Sequence, residues 1–123
     1  MSNKKVPWGY HLIIDAAECD KMKISDAGNI YNFVKDLVDK IDMKAFGEPI
    51  IECFATHDPS KGGYSLVQLI ETSNICCHFV DLSGDAYLDV FSCKSFENSV
   101  VVECFEEYFS PRSMKINMIE RNA

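Results

Sequence analysis

The chain has 123 residues, which is enough for one domain and too few for two ordinary ones. It is 47% hydrophobic and 25% charged, a composition that is typical of a globular protein and excludes a disordered or membrane-spanning chain. The net charge of −7 argues against a nucleic-acid backbone as partner and is compatible with a cationic small molecule. We therefore expect a single domain over residues 1–123 that binds neither nucleic acid nor a membrane.

The N-terminal segment and the cysteines indicate the compartment. Two lysines precede a short apolar run, but Asp15 and Glu18 soon interrupt it, so a secretory signal is not expected. The six cysteines form no C-x-x-C pair and lie at positions 19, 53, 76, 77, 93 and 104. We expect a cytoplasmic protein in which most of these thiols pack as small hydrophobic side chains.

In chain order, the first predicted elements are a strand and a long helix. Residues 9–16 form a short apolar run that predicts the strand. Ser25 or Asp26 can cap a helix that continues to about Met43, because apolar residues recur there at spacings of three and four: Ile30, Phe33, Val34, Leu37, Val38 and Ile41. A second strand is predicted at residues 49–54, and the turn-rich sequence HDPSKGG ends it.

The second half of the chain contains mostly strands. The predicted elements, in order, are strands at 64–70, 75–80 and 86–92, a helix at 96–108 and a last strand at 114–118. The polar residues 71–74 separate the first two of these strands. Pro111 prevents the second helix from continuing.

The predicted order of elements is β-α-β-β-β-β-α-β, without an internal repeat. Two helices and many strands joined by short turns predict an α+β fold. We expect a two-layer sandwich in which a mostly antiparallel sheet carries both helices on one face. The other face of the sheet must then meet water, a ligand or another subunit.

Few side chains fit a known catalytic or metal-binding pattern. The histidines at positions 11, 57 and 78 lack the spacing of a metal-binding pair, and no metal site is expected. The sequence has no G-x-S-x-G elbow and no phosphate-binding glycine loop. The candidates that remain are Ser65, Ser73, His78 and Cys93. By themselves these four are equally well explained as a strand serine, a turn serine, a strand histidine and a buried thiol.

Residues 63–93, GYSLVQLIETSNICCHFVDLSGDAYLDVFSC, resemble the core of the prokaryotic S-adenosylmethionine decarboxylase proenzymes. That family typically has a Gly-x-Ser strand, a Glu-Ser-His cleavage site, a histidine five residues after the cleaved serine, and an Asp-Val-Phe-x-Cys strand. Ser65, Ser73, His78 and residues 89–93 fall at the family's spacings without a gap, and residues 9–19 resemble its opening segment.

The resemblance implies that the chain cleaves itself between Thr72 and Ser73. The Ser73 hydroxyl attacks the Thr72 carbonyl, a base removes the α-proton of Ser73, and elimination and hydrolysis leave a pyruvoyl group and ammonia. By resemblance, His78 is that base and Ser65 hydrogen-bonds the cyclic intermediate. The expected products are a beta chain, 1–72, and an alpha chain, 73–123, whose first residue is the pyruvoyl cofactor derived from Ser73.

The resemblance also implies how the cofactor works. The pyruvoyl ketone forms a Schiff base with the α-amine of the substrate and accepts electrons as carbon dioxide leaves. By resemblance, Cys93 matches the family's proton donor, and a thiol is a group that can give its proton to a carbanion. Family members assemble as dimers of processed pairs with their sites near subunit contacts, so a homo-oligomer is expected.

The sequence departs from the family pattern at three places. Thr72 stands where the family usually has Glu, and Asn74 stands where it usually has His. The Trp-Pro-Glu type segment that follows the histidine in many bacterial members is replaced by residues 79–82, FVDL. There Phe79 could offer an aromatic face to the substrate and Asp81 a carboxylate to ribose hydroxyls, each one position out of register.

These observations predict a pyruvoyl-dependent carboxy-lyase that converts S-adenosylmethionine to the aminopropyl donor for spermidine synthesis. Two alternatives stay open. One is a pyruvoyl-dependent ornithine or arginine decarboxylase of the same fold. The other is a catalytically silent homologue, which Thr72 and Asn74 favour and which the retained Ser73, His78 and Cys93 disfavour.

Overall fold

The computed structural model of the protein describes residues 6–123, so the two N-terminal lysines of the signal-sequence argument lie outside it. The elements in chain order are β1 (Gly9–Ala17), α1 (Lys21–Ile24), α2 (Ala27–Lys40), β2 (Ile50–Phe54), β3 (Gly63–Ile70), β4 (Ser73–Phe79), β5 (Ala86–Ser92), α3 (Asn98–Phe109) and β6 (Ser113–Arg121). Every predicted element is present. The single turn α1 is the one helix in the described part of the chain that the sequence does not predict.

The six strands form one antiparallel sheet in the order β2-β3-β4-β5-β1-β6. The helices pack their apolar residues against one face of this sheet and form a single hydrophobic core with it. The predicted α+β sandwich with an antiparallel sheet is therefore confirmed. Within the described residues its helical layer contains α1 beside the two predicted helices.

Helix α2 shows how local sequence fixes both of its ends. The Asp26 side chain caps it by accepting hydrogen bonds from the backbone N–H groups of Gly28 (2.9 Å) and Asn29 (3.2 Å). At the other end Asp42 adopts a left-handed φ of 56°, and the Met43 N–H donates to the Val38 carbonyl at 2.9 Å. This is a Schellman C-cap, which fixes where Met43 leaves the helix.

The centre of the core is a cluster of phenylalanines. Phe109 of α3 lies 4.8 Å, between ring centroids, from both Phe33 of α2 and Phe79 of β4. All three rings are completely buried. Burying one such side chain contributes about 1.5–3 kcal/mol, so this cluster holds the two long helices on the sheet.

Strand β4 begins two residues earlier than the sequence predicts. Ser73 pairs with Ile70 of β3 on one side and with Ser92 of β5 on the other. Because both neighbouring strands extend this far, Ser73 and Asn74 are part of β4. The loop between β3 and β4 is reduced to Glu71 and Thr72.

The other face of the sheet carries no helix within residues 6–123, and we call it the open face. Several large apolar side chains are exposed there: Ile50, Phe54, Val67, Leu69, Tyr87 and Ile119. Single exposed apolar residues are ordinary, but a group on one sheet face is typical of a surface that meets another molecule. None of the described helices has the length and apolar character needed to cross a membrane.

Candidate functional site

Ser73 has the most unusual backbone of the candidate residues. Two-residue hairpin loops usually adopt turns in which one or both loop residues have a positive φ. Neither Glu71 nor Thr72 does so, and the positive φ falls on Ser73, at 154°. Residues other than glycine rarely adopt this conformation, which costs about 1–3 kcal/mol and persists only where the surroundings enforce it. The Thr72–Ser73 peptide is therefore strained.

The carbonyl group of Thr72 is held by a single backbone donor. The N–H of Cys93, the residue that follows β5, donates a hydrogen bond to the Thr72 oxygen at 3.0 Å. A donor in this position polarises the carbonyl and would stabilise negative charge that develops on its oxygen. The structure thus brings Thr72 and Ser73, the predicted cleavage site, close to Cys93, the predicted proton donor.

The side chain of Thr72 also has partners. The Ser92 hydroxyl donates to the Thr72 hydroxyl at 2.8 Å, and the Thr72 hydroxyl donates to the Met43 sulfur at 3.2 Å. The Lys94 N–H in turn donates to the Ser92 hydroxyl at 3.0 Å. Ser92 is completely buried and Thr72 is half-buried, so this hydroxyl pair lies at the edge of the protein interior, beside the strained peptide.

Cys93 differs from most of the other cysteines in its exposure. Burial raises the pKa of Cys19 to about 11, with a smaller contribution from the nearby Asp85 carboxylate. Burial likewise raises the pKa of Cys104 to about 11 and that of Cys77 well above its ordinary value. Those three thiols stay protonated and inaccessible, whereas the Cys93 thiol is exposed. Three of the six cysteines are therefore buried packing residues, which is half of them rather than the expected majority.

Ser65 and His78 form a second cluster. They are direct partners across β3 and β4, and the Ser65 hydroxyl lies 2.6 Å from His78 Nδ1. His78 Nε2 lies 2.7 Å from the Lys61 carbonyl oxygen, which can only accept. In the neutral ring, Nε2 therefore carries the proton, and Nδ1 accepts from Ser65. In this tautomer Nδ1 is the nitrogen of His78 that can accept a proton, and the Ser65 hydroxyl covers it.

Gly63 allows the strands to meet beside this pair. It begins β3 with a φ of 156°, and a Cβ atom there would overlap the Phe79 carbonyl oxygen. Only glycine combines this backbone conformation with such a close approach. The Gly-x-Ser pattern thus has a structural reason: Gly63 permits the pairing that brings Ser65 to His78.

The two clusters lie at opposite ends of β4. His78 is five residues beyond Ser73 on the same strand. A strand rises about 3.3 Å per residue, so the two residues are separated by about 16 Å along the sheet. Within one chain the Nδ1 atom of His78 does not reach the α-carbon of Ser73. The structure therefore brings the predicted site residues together as two pairs, Ser73 with Cys93 and Ser65 with His78.

The two predicted substrate-binding residues have different environments. Phe79 is completely buried in the phenylalanine cluster, which argues against the expectation that its ring faces a substrate. Its register explains the difference: Phe79 has the same side-chain direction as the buried Ile75 and Cys77 of β4. Asp81 is exposed and lines a cleft of about 440 Å³ beside Gly63 and Leu82. This cleft adjoins the His78 end of β4.

Sequence reasoning missed three contributors to the Ser73 end: the Cys93 amide, the Ser92 hydroxyl and the Met43 sulfur. Any backbone amide can hold a carbonyl, and a single sequence does not identify which one does. Met43 is placed by a helix C-cap that the periodicity of α2 does not reveal. For Ser92 the alternation of β5 gives a weak signal, because it places this serine on the buried side with Leu88 and Val90.

No group of three or more histidine, cysteine, aspartate or glutamate side chains within residues 6–123 is arranged to hold a metal ion.

The fold and the site together define the class of this protein. It is a two-layer α+β sandwich with a strained seryl peptide at one end of a central strand and a serine–histidine pair at the other. The chain belongs to the S-adenosylmethionine decarboxylase family, whose model matches residues 10–122. The family resemblance of residues 63–93 is therefore confirmed and extends over nearly the whole chain.

The relatives described here are distant in sequence but match over most of their length. The chain is 25% identical over 116 residues to an S-adenosylmethionine decarboxylase proenzyme of Methanococcus aeolicus, covering 94% of each protein. It is 28% identical over 116 residues to the proenzyme of that name from Clostridium botulinum, covering 92% of this chain and 93% of that one. The solved adenosylmethionine decarboxylase of Aquifex aeolicus has the same fold, with a TM-score of 0.80, 20% identity, and coverage of 97% of this chain and 94% of that one.

Proposed function

We propose that this protein is a self-processing, pyruvoyl-dependent carboxy-lyase that decarboxylates S-adenosylmethionine. Membership of the S-adenosylmethionine decarboxylase family and the name proenzyme carried by its relatives support the activity and a cleaved product. The observation that carries the proposal is the Thr72–Ser73 peptide: its serine has a strained φ of 154°, and its carbonyl accepts a backbone N–H at 3.0 Å.

Self-cleavage uses groups that already surround this peptide. The Ser73 Oγ bonds to the Thr72 carbonyl carbon, with negative charge on the oxygen that faces the Cys93 N–H. The bond from the Thr72 carbonyl carbon to the Ser73 nitrogen then breaks as the proton of the Ser73 hydroxyl passes to that nitrogen. This leaves an ester and a free Ser73 amine and releases the strain at Ser73. Removal of the Ser73 α-proton breaks the bond between its Cβ and Oγ, leaving a Thr72 carboxylate and a dehydroalanine. Water then replaces the nitrogen, and ammonia leaves.

The residues present fit the pyruvoyl group that results. This group supplies a sink for the electrons that are released when carbon dioxide leaves the substrate. Cys93 is exposed and follows Ser92, the β5 partner of Ser73, so its thiol is in a position to deliver a proton to the α-carbon of the substrate. The buried cysteines Cys19, Cys77 and Cys104 serve as packing residues.

The site requires a second copy of the chain. His78 is about 16 Å along β4 from Ser73, too far to remove its α-proton. The side chains of His78 and Ser65 lie on the open face of the sheet, together with the exposed apolar side chains. We infer a homodimer that buries this face, in which His78 of the partner subunit acts on Ser73. The processed dimer then contains two beta chains, 1–72, and two alpha chains, 73–123.

The substrate suits the charge of the protein. S-adenosylmethionine carries a positive sulfonium, and the chain has a net charge of −7. Asp81 places a carboxylate in the cleft of about 440 Å³ next to the His78 end, where it can accept hydrogen bonds from ribose hydroxyls. In the dimer this cleft belongs to the same composite site as His78.

Intact-mass measurement of the purified protein tests self-processing. We expect the wild-type chain to yield two fragments, 1–72 and 73–123, with a pyruvoyl group on the second. The Ser73→Ala variant should stay whole because it lacks the attacking hydroxyl, and the exposed-serine control Ser113→Ala should cleave normally. A wild-type chain that never cleaves would refute the proposal and leave a catalytically silent homologue.

Release of labelled carbon dioxide tests the substrate. The processed protein is incubated separately with carboxyl-labelled S-adenosylmethionine, ornithine and arginine. We expect release from S-adenosylmethionine, since Asp81 offers a carboxylate to ribose hydroxyls, which ornithine and arginine lack. Release from ornithine or arginine alone would keep the mechanism and replace the substrate.

A further inference from the structure

A hydrogen-bonded pair of hydroxyl groups, the buried Ser92 and the half-buried Thr72, lies beside the peptide that is proposed to break, and none of the steps above uses it. Ser92 is completely buried, and its hydroxyl lies between the Lys94 N–H at 3.0 Å and the Thr72 hydroxyl at 2.8 Å. The Thr72 hydroxyl in turn donates a hydrogen bond to the Met43 sulfur at 3.2 Å. The Ser92 hydroxyl also lies 3.7 Å from the Met43 sulfur, a longer contact than its hydrogen bond to Thr72.

The arrangement attaches Thr72 to the end of β5 at two points. Its side chain is bound by Ser92, and its carbonyl oxygen is bound by the N–H of the next residue, Cys93. Because Ser92 and Cys93 are consecutive, the two hydrogen bonds act on Thr72 from the same short segment. A residue held at two points in this way cannot rotate its carbonyl away from the amide without losing its side-chain contacts.

The other anchors of this network are also fixed. Met43 is placed by the Schellman C-cap of α2, through its N–H bond to Val38. The Lys94 side chain donates to the Asp42 carbonyl oxygen at 2.6 Å and to the Asp42 carboxylate at 3.0 Å, which joins the end of α2 to the segment after β5. Strained backbone persists only where its surroundings enforce it, and these contacts surround the strained residue on the Thr72 side.

We propose that the hydroxyls of Thr72 and Ser92 are positioning groups for self-cleavage, which hold the Thr72 carbonyl on the Cys93 amide while Ser73 attacks. This inference rests on the proposed self-processing. It gives a purpose to the residue that departs from the family pattern, because the side chain before the cleaved serine is here a short hydroxyl rather than a carboxylate. The role concerns orientation, so neither hydroxyl exchanges a proton with a reacting atom.

The test compares Thr72→Val with Thr72→Ser in the full chain. Valine keeps the branched shape and removes both hydrogen bonds, whereas serine keeps the hydroxyl. Small misplacements of reacting groups cost one to two orders of magnitude, so Thr72→Val should cleave about 10-fold to 100-fold more slowly by intact mass. Thr72→Ser should cleave close to the wild-type rate. Combining Thr72→Val with Ser92→Ala should add little to the slower single variant, because both changes break one network.

A second measurement follows the carbonyl itself and does not depend on cleavage. In a Ser73→Ala background, hydrogen exchange of the Cys93 amide should be faster with Thr72→Val than with Thr72, relative to the exchange of the β5 amides in the same two chains. A Thr72→Val chain that cleaves at the wild-type rate would overturn the inference, and so would Cys93 exchange that Thr72→Val leaves unaltered. If the wild-type chain never cleaves, the proposed function fails, and the exchange comparison alone decides whether the hydroxyls orient this carbonyl.

Discussion

The two ends of β4 are built differently. At the Ser73 end the backbone is strained, the neighbouring hydroxyls are those of the buried Ser92 and the half-buried Thr72, and the contacts come from β5 and from the end of α2. At the His78 end the strand is regular, and the imidazole faces the open face between Ser65 and the Lys61 carbonyl. In the proposed function, the Ser73 end contains the bond that breaks, and the His78 end supplies the base to the partner subunit. Under the proposed function, each copy of β4 therefore contributes one half to each of two shared sites in a homodimer.

The largest effect is expected from His78→Ala, which should block pyruvoyl formation and leave ester formation at Ser73 intact. A His78→Ala chain should form the ester at Ser73, because attack needs only the Ser73 end, and should fail completely to form the pyruvoyl group. Hydroxylamine should then split this variant between Thr72 and Ser73 and leave an unmodified N-terminal serine, as mass spectrometry can show. The control His57→Ala removes an exposed loop histidine and should process normally. Normal pyruvoyl formation in His78→Ala would remove His78 from the mechanism.

The next largest effect is expected from Cys93→Ala, which should slow decarboxylation and leave self-cleavage unchanged. Cys93→Ala keeps the backbone N–H that holds the Thr72 carbonyl and loses the thiol. Self-cleavage should continue, while decarboxylation by the processed enzyme falls by about 10²–10⁴-fold, the usual contribution of a general acid. Cys53→Ala, which removes another exposed thiol, should change neither rate. A Cys93→Ala enzyme with undiminished carbon dioxide release would show that another group protonates the substrate.

A smaller effect is expected from Ser65. Ser65→Ala removes the hydrogen bond to His78 Nδ1, while the Lys61 carbonyl still holds the other side of the ring. One neutral hydrogen bond contributes about 0.5–1.5 kcal/mol, so pyruvoyl formation should slow by roughly 2-fold to 10-fold. Time courses by intact mass would measure this, with Ser113→Ala as the matched control. An effect as complete as that of His78→Ala would assign Ser65 a direct part in the chemistry.

The two ends were not equally predictable from the sequence. Alternating apolar residues and turn signals located the strands, and Asp26 correctly predicted the start of α2. The pairing of Ser65 with His78 follows from the register of a two-residue hairpin, which a sequence pattern can suggest. The strain at Ser73 and the amide of Cys93 depend on how β5 and the end of α2 approach the loop. Such non-local contacts leave no periodic signal in a single chain.

The prediction for Phe79 also shows what a single sequence leaves undetermined, which here is the direction of a side chain. Its aromatic character suggested a substrate contact, but side-chain direction along β4 places it in the core with Phe109. Asp81 lies beyond the end of the strand, where direction is no longer imposed by the sheet, and it is exposed in the adjoining cleft. Residue type alone therefore did not separate a packing residue from a candidate binding residue, whereas register did.

The shared site is tested most directly by mixing two inactive chains. Ser73→Ala supplies an intact His78 end, and His78→Ala supplies an intact Ser73 end. When the two variants are expressed together and purified as a mixed dimer, the His78→Ala chain should be cut into 1–72 and a pyruvoyl-bearing 73–123, while the Ser73→Ala chain stays whole. Intact mass distinguishes the two chains. A mixed dimer in which the His78→Ala chain forms no pyruvoyl group would show that the two ends of β4 do not meet across subunits.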